Sequence, residues 1–512
     1  MVNHGRPSAG CGNCRRAKKS CDRKVPSCDR CSRLGKICGG YRDLSELMFR
    51  DQSTEVIRRA STGEGSSRTT SPLGGSHSPP SQDSAARLFF QERFVTATFL
   101  PFLSEGPSDE HLSRSILACA YAAMANGDNE AERTTHKQKA RTLYVEALSA
   151  TNALLKHNRR MKEDTTLISV LLLGLFEKLV WDGVSSVSSW KHHIGGATQM
   201  IELRGRSQIR TKIGAQLFRE VRNHIITDAL WSETAVPETL ARWTHALEFE
   251  PLQIHSDQIS ILAGRVSSLR EHFCAGEETD QLLLDTATRI DAELLAWSEQ
   301  ALIQGSACLY STVQDQDSHT SWNGTRHDYS TPQAREAWNE WRCLRIIVSR
   351  IQEAIWRRSW PTLERQPEPN DADHHANLRA RMAAGICVAT AGEFPNTLDA
   401  TSGRGAVGSA YLCIFPLFLA GTVALEHLAS SITTPGNTRA LLCNQAFHLD
   451  PLDRYSTQLA WIIARLDYIS TKVGISWAAA LSACLKGDLG CHYNIARSRV
   501  TRTESNNEML IT

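Results

Sequence analysis

The sequence predicts a small metal-cluster module, a flexible linker and a large all-α domain, in that order along 512 residues. Three observations carry this. Six cysteines near the start fall into two copies of the pattern C-x2-C-x6-C. Residues 60–84 are mostly Ser, Gly, Pro and Thr. Beyond residue 85, apolar residues recur three and four apart, the period of helices rather than strands.

Cys11, Cys14 and Cys21 superpose on Cys28, Cys31 and Cys38 by a shift of 17 positions, so the segment is an internal repeat. A pair two residues apart brings both sulfurs onto one helical turn, where they can grip one ion. Zinc takes four ligands in a tetrahedron, with thiolates among its preferred donors. Two ions require eight bonds, and six cysteines supply eight only when two of them bridge both metals. The repeat makes one cysteine of each half the natural bridge. With every position filled by thiolate, such zincs are structural, because none is left open for a reactive water. A disulfide framework would need an oxidising compartment, and Met1–Gly10 is polar, without the apolar stretch of a secretion signal. A single-zinc knuckle would leave two of the six cysteines idle. The other nine cysteines lack this pairing and read as reduced, mostly buried small hydrophobes.

Charge is concentrated on the same segment. From Met1 to Arg42 eleven Lys or Arg stand against two acids, a local net charge of +9, whereas the remainder carries −7 and the whole chain +2. Six thiolates and two Zn²⁺ sum to −2, so a basic surplus points outward, as a phosphate-binding surface requires. Arg15, Arg16, Lys18 and Lys19 follow the first cysteine pair on a short helix. Its end can present Lys18 and Lys19 to the major groove, where a lysine fits the O6 and N7 acceptors of guanine. Arg15, Arg16, Arg23 and Lys24 are the better phosphate-contact candidates. A solvated basic face that doubles as a nuclear import signal is the plainer reading of these residues. Pro26 fixes the turn between the halves, and the less basic second half reads as scaffold.

Gly5 to Cys38, including Gly-Arg-Pro-Ser at 5–8 and Pro26, closely resembles the fungal zinc binuclear cluster family (Zn2Cys6). The resemblance implies that Cys11 and Cys28 bridge, one zinc being held by Cys11, Cys14, Cys21 and Cys28 and the other by Cys28, Cys31, Cys38 and Cys11. It also implies base contacts from Lys18, usually to a CGG triplet of double-stranded DNA. Gly40-Tyr-Arg-Asp43 and Leu47-Met-Phe-Arg-Asp51 resemble the continuation of one subgroup of fungal regulators. Leu44, Leu47 and Met48 have helical spacing, but the pattern dies within two turns, short of a coiled coil. A homodimer therefore has no visible zipper.

Ser, Gly, Pro and Thr make up 18 of the 25 residues from Ala60 to Ser84, too polar for a core and read as a flexible linker. Ser71-Pro72 and Ser78-Pro79 are candidate proline-directed phosphorylation sites. After the linker, helices are predicted over 87–100, 111–125, 141–155, 165–181, 190–203, 252–273, 281–304, 332–356, 376–391, 409–430 and 456–473. Trp190, His193, Gly196, Ala197, Met200, Ile201, Arg204 and Gly205 match a helix of the fungal-specific regulatory domain, and Phe415–Gly421 looks like that domain's WPLFxAG segment. The spacing suggests one helix face packed on neighbours, with Gly196 and Ala197 allowing close approach. The domains predicted are thus 1–43 (DNA binding), 44–85 (linker, largely disordered), 86–495 (all-α regulatory domain) and 496–512 (flexible tail).

Other features are set aside. Gly405–Leu425 is uncharged and long enough for a bilayer, but its Gly, Ser, Thr and Pro416 favour a buried core helix kinked at the proline, with no membrane partner. Gly403–Gly408 spells GxGxxG without the preceding strand a dinucleotide site needs. His192-His193 and His374-His375 point about 100° apart on a helix and cannot chelate as pairs. No enzyme motif survives. No block of acidic and aromatic residues marks an activation segment; Glu248–Asp257 is the nearest candidate, and equally reads as a plain loop between helices.

The resemblance implies a nuclear, sequence-specific regulator of RNA polymerase II genes, controlling a metabolic pathway or secondary-metabolite cluster. Expected partners are DNA, the transcription machinery, a second copy of the chain and a small-molecule effector. A zinc-scaffolded protein-interaction module and a DNA-tethered enzyme are the alternatives.

Overall fold

The structure, a computed structural model, describes residues 11–17, 19–22, 24, 27–36, 38, 82–95, 103, 109–127, 130–181, 183–247, 254–276, 278–303, 309–315, 321–359, 370–394, 406–433 and 451–487. Two single-turn helices, α1 (Gly12–Arg16) and α2 (Asp29–Arg33), lie in the cysteine segment. The remainder is built from α3 (Gln82–Phe94), α4 (Glu110–Gly127), α5 (Glu130–Leu155), α6 (Asp164–Val180), α7 (Val184–Arg204), α8 (Lys212–Ser232), α9 (Glu238–His245), α10 (Ile254–Ala275) and α11 (Asp280–Ile303). A hairpin of β1 (Tyr310–Gln314) and β2 (Thr325–Tyr329) follows. Then come α12 (Pro332–Ser359), α13 (Asn370–Thr390), α14 (Ala406–Thr433), α15 (Pro451–Tyr468, continued by a π turn over Ile469–Val473) and α16 (Trp477–Lys486).

Successive helices pack on one another, α4 on α5, α6 on α7, α10 on α11, and α12 through α15 in sequence. Contacts of α14 with α3, and of α16 with α6, bring the end of the chain back onto its beginning, so one apolar core runs through the helical body. Asn126 fastens that closure: its Nδ2 donates to the carbonyls of Leu179 (2.9 Å) and Gly474 (2.7 Å). The linker reading lies mostly outside the described residues, although α3 begins at Gln82, inside it. The tail reading lies wholly outside.

The largely helical body is as the apolar period foretells, with three helices added. In α8 the buried side includes Arg219 and Arg222, so charged residues interrupt the apolar stripe that would have revealed it. Helices α9 and α16 are short, and α16 is built largely of small residues that give little periodic signal. The hairpin is a further departure. Asn323 and Gly324 both take left-handed φ (51° and 72°), which makes the tight turn bridging Trp322 to Thr325 at the start of β2, at the end of the residues 315–324 that connect the strands. Asn-Gly signals that local turn, but not the pairing of β1 with β2 across the longer connection. Five residues per strand are too few to show alternation.

Helix α14 is buried over 83% of its apolar 18-residue window, and it runs on through Pro416. Phe415 and Phe418 instead meet Trp231 of α8, ring centroids 5.3 Å apart in each case. On α7, Ala197 is buried as expected, but the close approach the structure shows is made by Gly174 of α6, where a Cβ would lie 3.4 Å from His193 and 3.6 Å from Trp190. In each histidine pair one member is exposed, His192 and His374, while His193 Nε2 is 3.2 Å from the Tyr144 hydroxyl and His375 Nδ1 is 3.0 Å from Ser349 Oγ. Cys119, Cys343, Cys387 and Cys413 are buried thiols, whereas Cys484 is disulfide-bonded, against the reading of nine reduced cysteines.

Two buried charges show how the body accommodates ions. Asp257, the last residue of the candidate activation segment, is completely buried between Arg222 Nη1 (2.6 Å) and Arg219 Nη2 (2.9 Å), so that end of the segment is core. Residues 248–253 of it lie outside the described residues. Lys178 of α6 donates to the Tyr411 hydroxyl at 2.6 Å, and its ammonium lies 4.2, 4.8 and 4.5 Å from the ring centroids of Trp190, Tyr411 and Trp477. Burial pushes Lys178 down to about 7, against the opposing pull of Asp228 and Glu220.

Asp257→Ala strands two guanidiniums in the core and should cost about 3–5 kcal/mol, read as a lower denaturant midpoint of the helical domain in the full chain. Lys178 yields a pH prediction. The unfolded side chain keeps its proton to about pH 10.4, whereas the folded one sheds it from about 7. The unfolded state therefore binds more protons across that window, and stability should rise with pH. Lys178→Met should flatten the rise in a melting-temperature series; an unchanged slope would assign it to another group.

Candidate metal centre and nucleic-acid interface

The cysteine segment is too short for an apolar core, and what it buries is sulfur: Cys11, Cys14, Cys28 and Cys31 are at most 2% exposed, with Cys21 and Cys38 packed against them. Each half is built alike. The first cysteine sits at the start of a helix, and its sulfur accepts from the amide of the cysteine three residues on: Cys14 N to Cys11 Sγ at 3.5 Å, Cys31 N to Cys28 Sγ at 3.4 Å. Helix amides and dipole favour the thiolate there.

The six sulfurs form two groups of four, Cys11, Cys14, Cys21, Cys28 and Cys11, Cys28, Cys31, Cys38, within each of which all sulfurs lie within 4.8 Å of one another. Cys11 and Cys28 belong to both, 3.7 Å apart. A zinc–sulfur bond of about 2.3 Å makes the edge of a tetrahedron about 3.8 Å. Cys14–Cys28 at 3.8 Å and Cys11–Cys31 at 3.6 Å match that edge, so the donor set fits two ions.

Two residues that sequence reading overlooked support the sulfurs. Asn13 Nδ2 lies 3.6 Å from Cys31 Sγ, and Arg30 Nη1 lies 3.9 Å from Cys14 Sγ. Asn13 and Arg30 occupy equivalent places in the repeat, each between its own cysteine pair and reaching across to the other half. Donors of this kind neutralise ligand charge and orient the ligands. The repeat shift itself was the signal that pairs them. Crowding acts in the opposite direction on the thiols: for Cys28 the Cys31 amide lowers the pKa, but burial and the Cys11 and Cys14 thiols push it up to about 12. For Cys31 the Asn13 amide likewise lowers it, and burial with Cys28 and Cys11 raises it to about 11. Metal binding must displace those protons.

The basic residues distribute around this centre. Arg16 ends α1, exposed, with Nη2 donating to Asn13 Oδ1 at 2.9 Å. Lys19 is exposed, its amide bonded to the Cys14 carbonyl at 3.0 Å. Lys24 is exposed and paired with Asp29 at 2.7 Å; the pairing raises Lys24 and lowers Asp29 from their ordinary values. An exposed pair of this kind is weak and can exchange for phosphate. Asp29 also closes the module, its amide bonding to Asp22 Oδ1 at 3.1 Å. Lys18, Arg23 and Pro26 lie outside the described residues, as does the side chain of Arg15.

A thiolate cage that fits two ions, with exposed cations beside it and a large helical body after it, is the architecture of a zinc-cluster protein. Residues 9–46 match the fungal Zn(2)-Cys(6) binuclear cluster domain, and residues 79–322 match the fungal specific transcription factor domain. The chain belongs to the fungal Zn2Cys6 transcription factors, and its cluster domain is of the kind that binds two zinc ions. The second match takes in the Trp190–Gly205 motif and ends before Phe415–Gly421. An uncharacterized protein of Emericella nidulans is 33% identical over 91 residues, 18% of this chain and 19% of that protein, so the chain spans about a fifth of that relative's length. No solved structure matches.

Proposed function

We propose that the protein is a nuclear regulator of RNA polymerase II genes that reads CGG-type triplets. Cys11, Cys14, Cys21, Cys28, Cys31 and Cys38 hold two structural zincs, Cys11 and Cys28 shared between them. Lys18, with Lys19 beside it, supplies the base contacts. Arg15, Arg16, Arg23 and Lys24 hold phosphates. The observation that supports this reading most is the membership of Cys11 and Cys28 in both four-sulfur groups, in the same short module as the exposed Arg16 and Lys19. In this reading the helical domain governs activity by engaging the transcription machinery, and the targets belong to a metabolic pathway or secondary-metabolite cluster.

Cys38→Ala removes a donor from one group and Cys28→Ala from both. Atomic absorption on the full chain should find about one zinc retained by the first and none by the second; equal contents would refute the sharing. Selection of random duplex DNA by the zinc-loaded chain should enrich CGG, singly for a monomer or twice at fixed spacing for a homodimer. In the same assay Lys18→Ala should lose on the order of 1–3 kcal/mol at that triplet alone, whereas Arg15→Ala or Arg16→Ala should weaken all sequences and flatten the salt dependence. Two bound zincs with no enriched sequence would leave the cluster as a protein-interaction scaffold.

A further inference from the structure

Asn13 stands where the outside of the cysteine module meets its inside. It is half-buried on α1, between Cys11 and Cys14, and both ends of its amide are engaged. Oδ1 accepts from Arg16 Nη2 at 2.9 Å, and Nδ2 lies 3.6 Å from Cys31 Sγ. Chemistry fixes that orientation. A guanidinium has donors only, so the amide oxygen must face Arg16 and the NH2 is left to face sulfur. Arg16 is exposed and Cys31 is 2% exposed, so two hydrogen bonds lead from the surface to a buried sulfur.

The link reaches one metal site of the two. Cys31 belongs to the group Cys11, Cys28, Cys31 and Cys38 and not to the other. The link also runs in one half of the repeat alone. The 17-residue shift carries Asn13 onto Arg30 and Arg16 onto Arg33. Arg30 reaches across to Cys14 Sγ by itself, with Nη1 at 3.9 Å, and has no acceptor for Arg33 to donate to. One group of four thus has a cation at its sulfur directly, whereas the other receives its cation through a neutral amide.

This chain of donors transmits the state of the sulfur outward. A thiolate is a stronger acceptor than a thiol. When Cys31 serves as a metal ligand, Asn13 is held more firmly against it, and an amide so held offers Arg16 a fixed oxygen. The guanidinium keeps its remaining N–H donors for phosphate while its position is set. We propose that Asn13 is a positioning residue that couples one zinc to DNA: it fixes Arg16 for phosphate when Cys11, Cys28, Cys31 and Cys38 carry their metal, and phosphate on Arg16 in turn strengthens the hold on that metal. The proposal rests on the DNA-reading function above and says which of the two ions tunes it. Coupling of two binding events is reciprocal, so it is readable from either side.

The test uses the full-length zinc-loaded chain, titrated with a zinc chelator with and without a random-sequence duplex at low salt, counting zinc retained per chain. Duplex should raise the chelator concentration needed to remove one of the two zincs. Asn13→Ala should lower the affinity for that one zinc about tenfold or more and abolish its response to duplex. Arg16→Ala should weaken the same single zinc by a smaller factor, although the bond it removes is to Asn13 and not to sulfur. The control is Lys36→Ala, which removes an equal exposed charge from beside the same cysteine, the Lys36 amide being bonded to the Cys31 carbonyl at 3.0 Å. It should leave the zinc titration unchanged. If Asn13→Ala loses the whole cluster, the comparison of Arg16→Ala with Lys36→Ala still decides. In duplex binding read by fluorescence anisotropy, the double variant Asn13→Ala/Arg16→Ala should bind no more weakly than Arg16→Ala alone, a result that general loss of structure would not give. Equal effects of Arg16→Ala and Lys36→Ala on zinc, a weakening of both zincs alike in Asn13→Ala, or additive losses in the double variant would overturn the proposal. A wild-type chain that binds no duplex would overturn it together with the DNA-reading function, whereas enrichment of CGG with additive losses would sink the Asn13 link alone.

Discussion

Six sulfurs cannot complete two tetrahedra unless two of them serve twice, and the form of the N-terminal module follows from that. A shared donor must lie within one tetrahedral edge of every member of both groups, so Cys11 and Cys28 have to face each other across the middle of the module, and they do, at 3.7 Å. Each is placed there by the start of its own helix, and each helix supplies the third-residue cysteine that completes the pair. The near-equivalence of the halves is thus the economical way to present two bridging thiolates from one short chain. With no apolar core of its own, such a module draws its folding free energy from the metal, and loading and folding are one event.

The helical body meets the opposite problem, that of burying charge without metal. Its long helices carry arginines at positions facing neighbours, and the acids that answer them come from distant parts of the sequence. Asp257 of α10 serves two arginines of α8, Asp291 of α11 serves Arg345 of α12, and Glu353 of α12 serves Arg379 of α13. Each pair tolerates substitution of its members poorly, because removing one ion leaves the other desolvated. Such pairs fix which helix faces meet more narrowly than leucine against leucine does, and aromatic contacts such as Trp231 on Phe415 and Phe418 fill the space between them.

What could be read from the sequence divides along the same line. The metal site was legible because its information is local: spacing, residue type and repeat shift lie within 28 residues, and the structure adds only the crossed pair Asn13 and Arg30. Most long helices were legible because their apolar stripes are intact. Helix α8 was not, since Arg219 and Arg222 stand on its buried face and their partner is nearly 40 residues away. The hairpin carried little signal, since Asn323 and Gly324 mark only the local turn into β2 and the residues 315–324 that join the strands are mostly polar. The burial of Asp257 was hidden for a related reason: an aspartate on its own looks solvated until the arginines that bury it are known.

The division of charge connects the two parts. The first 42 residues carry +9 and the rest −7, so the attraction for a polyanion is confined to the segment that holds the zinc cluster. In the body, many acids are already committed to internal arginines, and the net negative balance keeps its surface from competing for phosphate. Under the proposed function, non-specific affinity for duplex DNA scales with the few cations around the cluster and falls steeply with salt. Base contacts at one or two side chains would then stand out against a background that small. A body that was itself basic would hold DNA in many registers and drown that discrimination, so the acidic balance of the helical domain contributes to specificity without touching DNA at all.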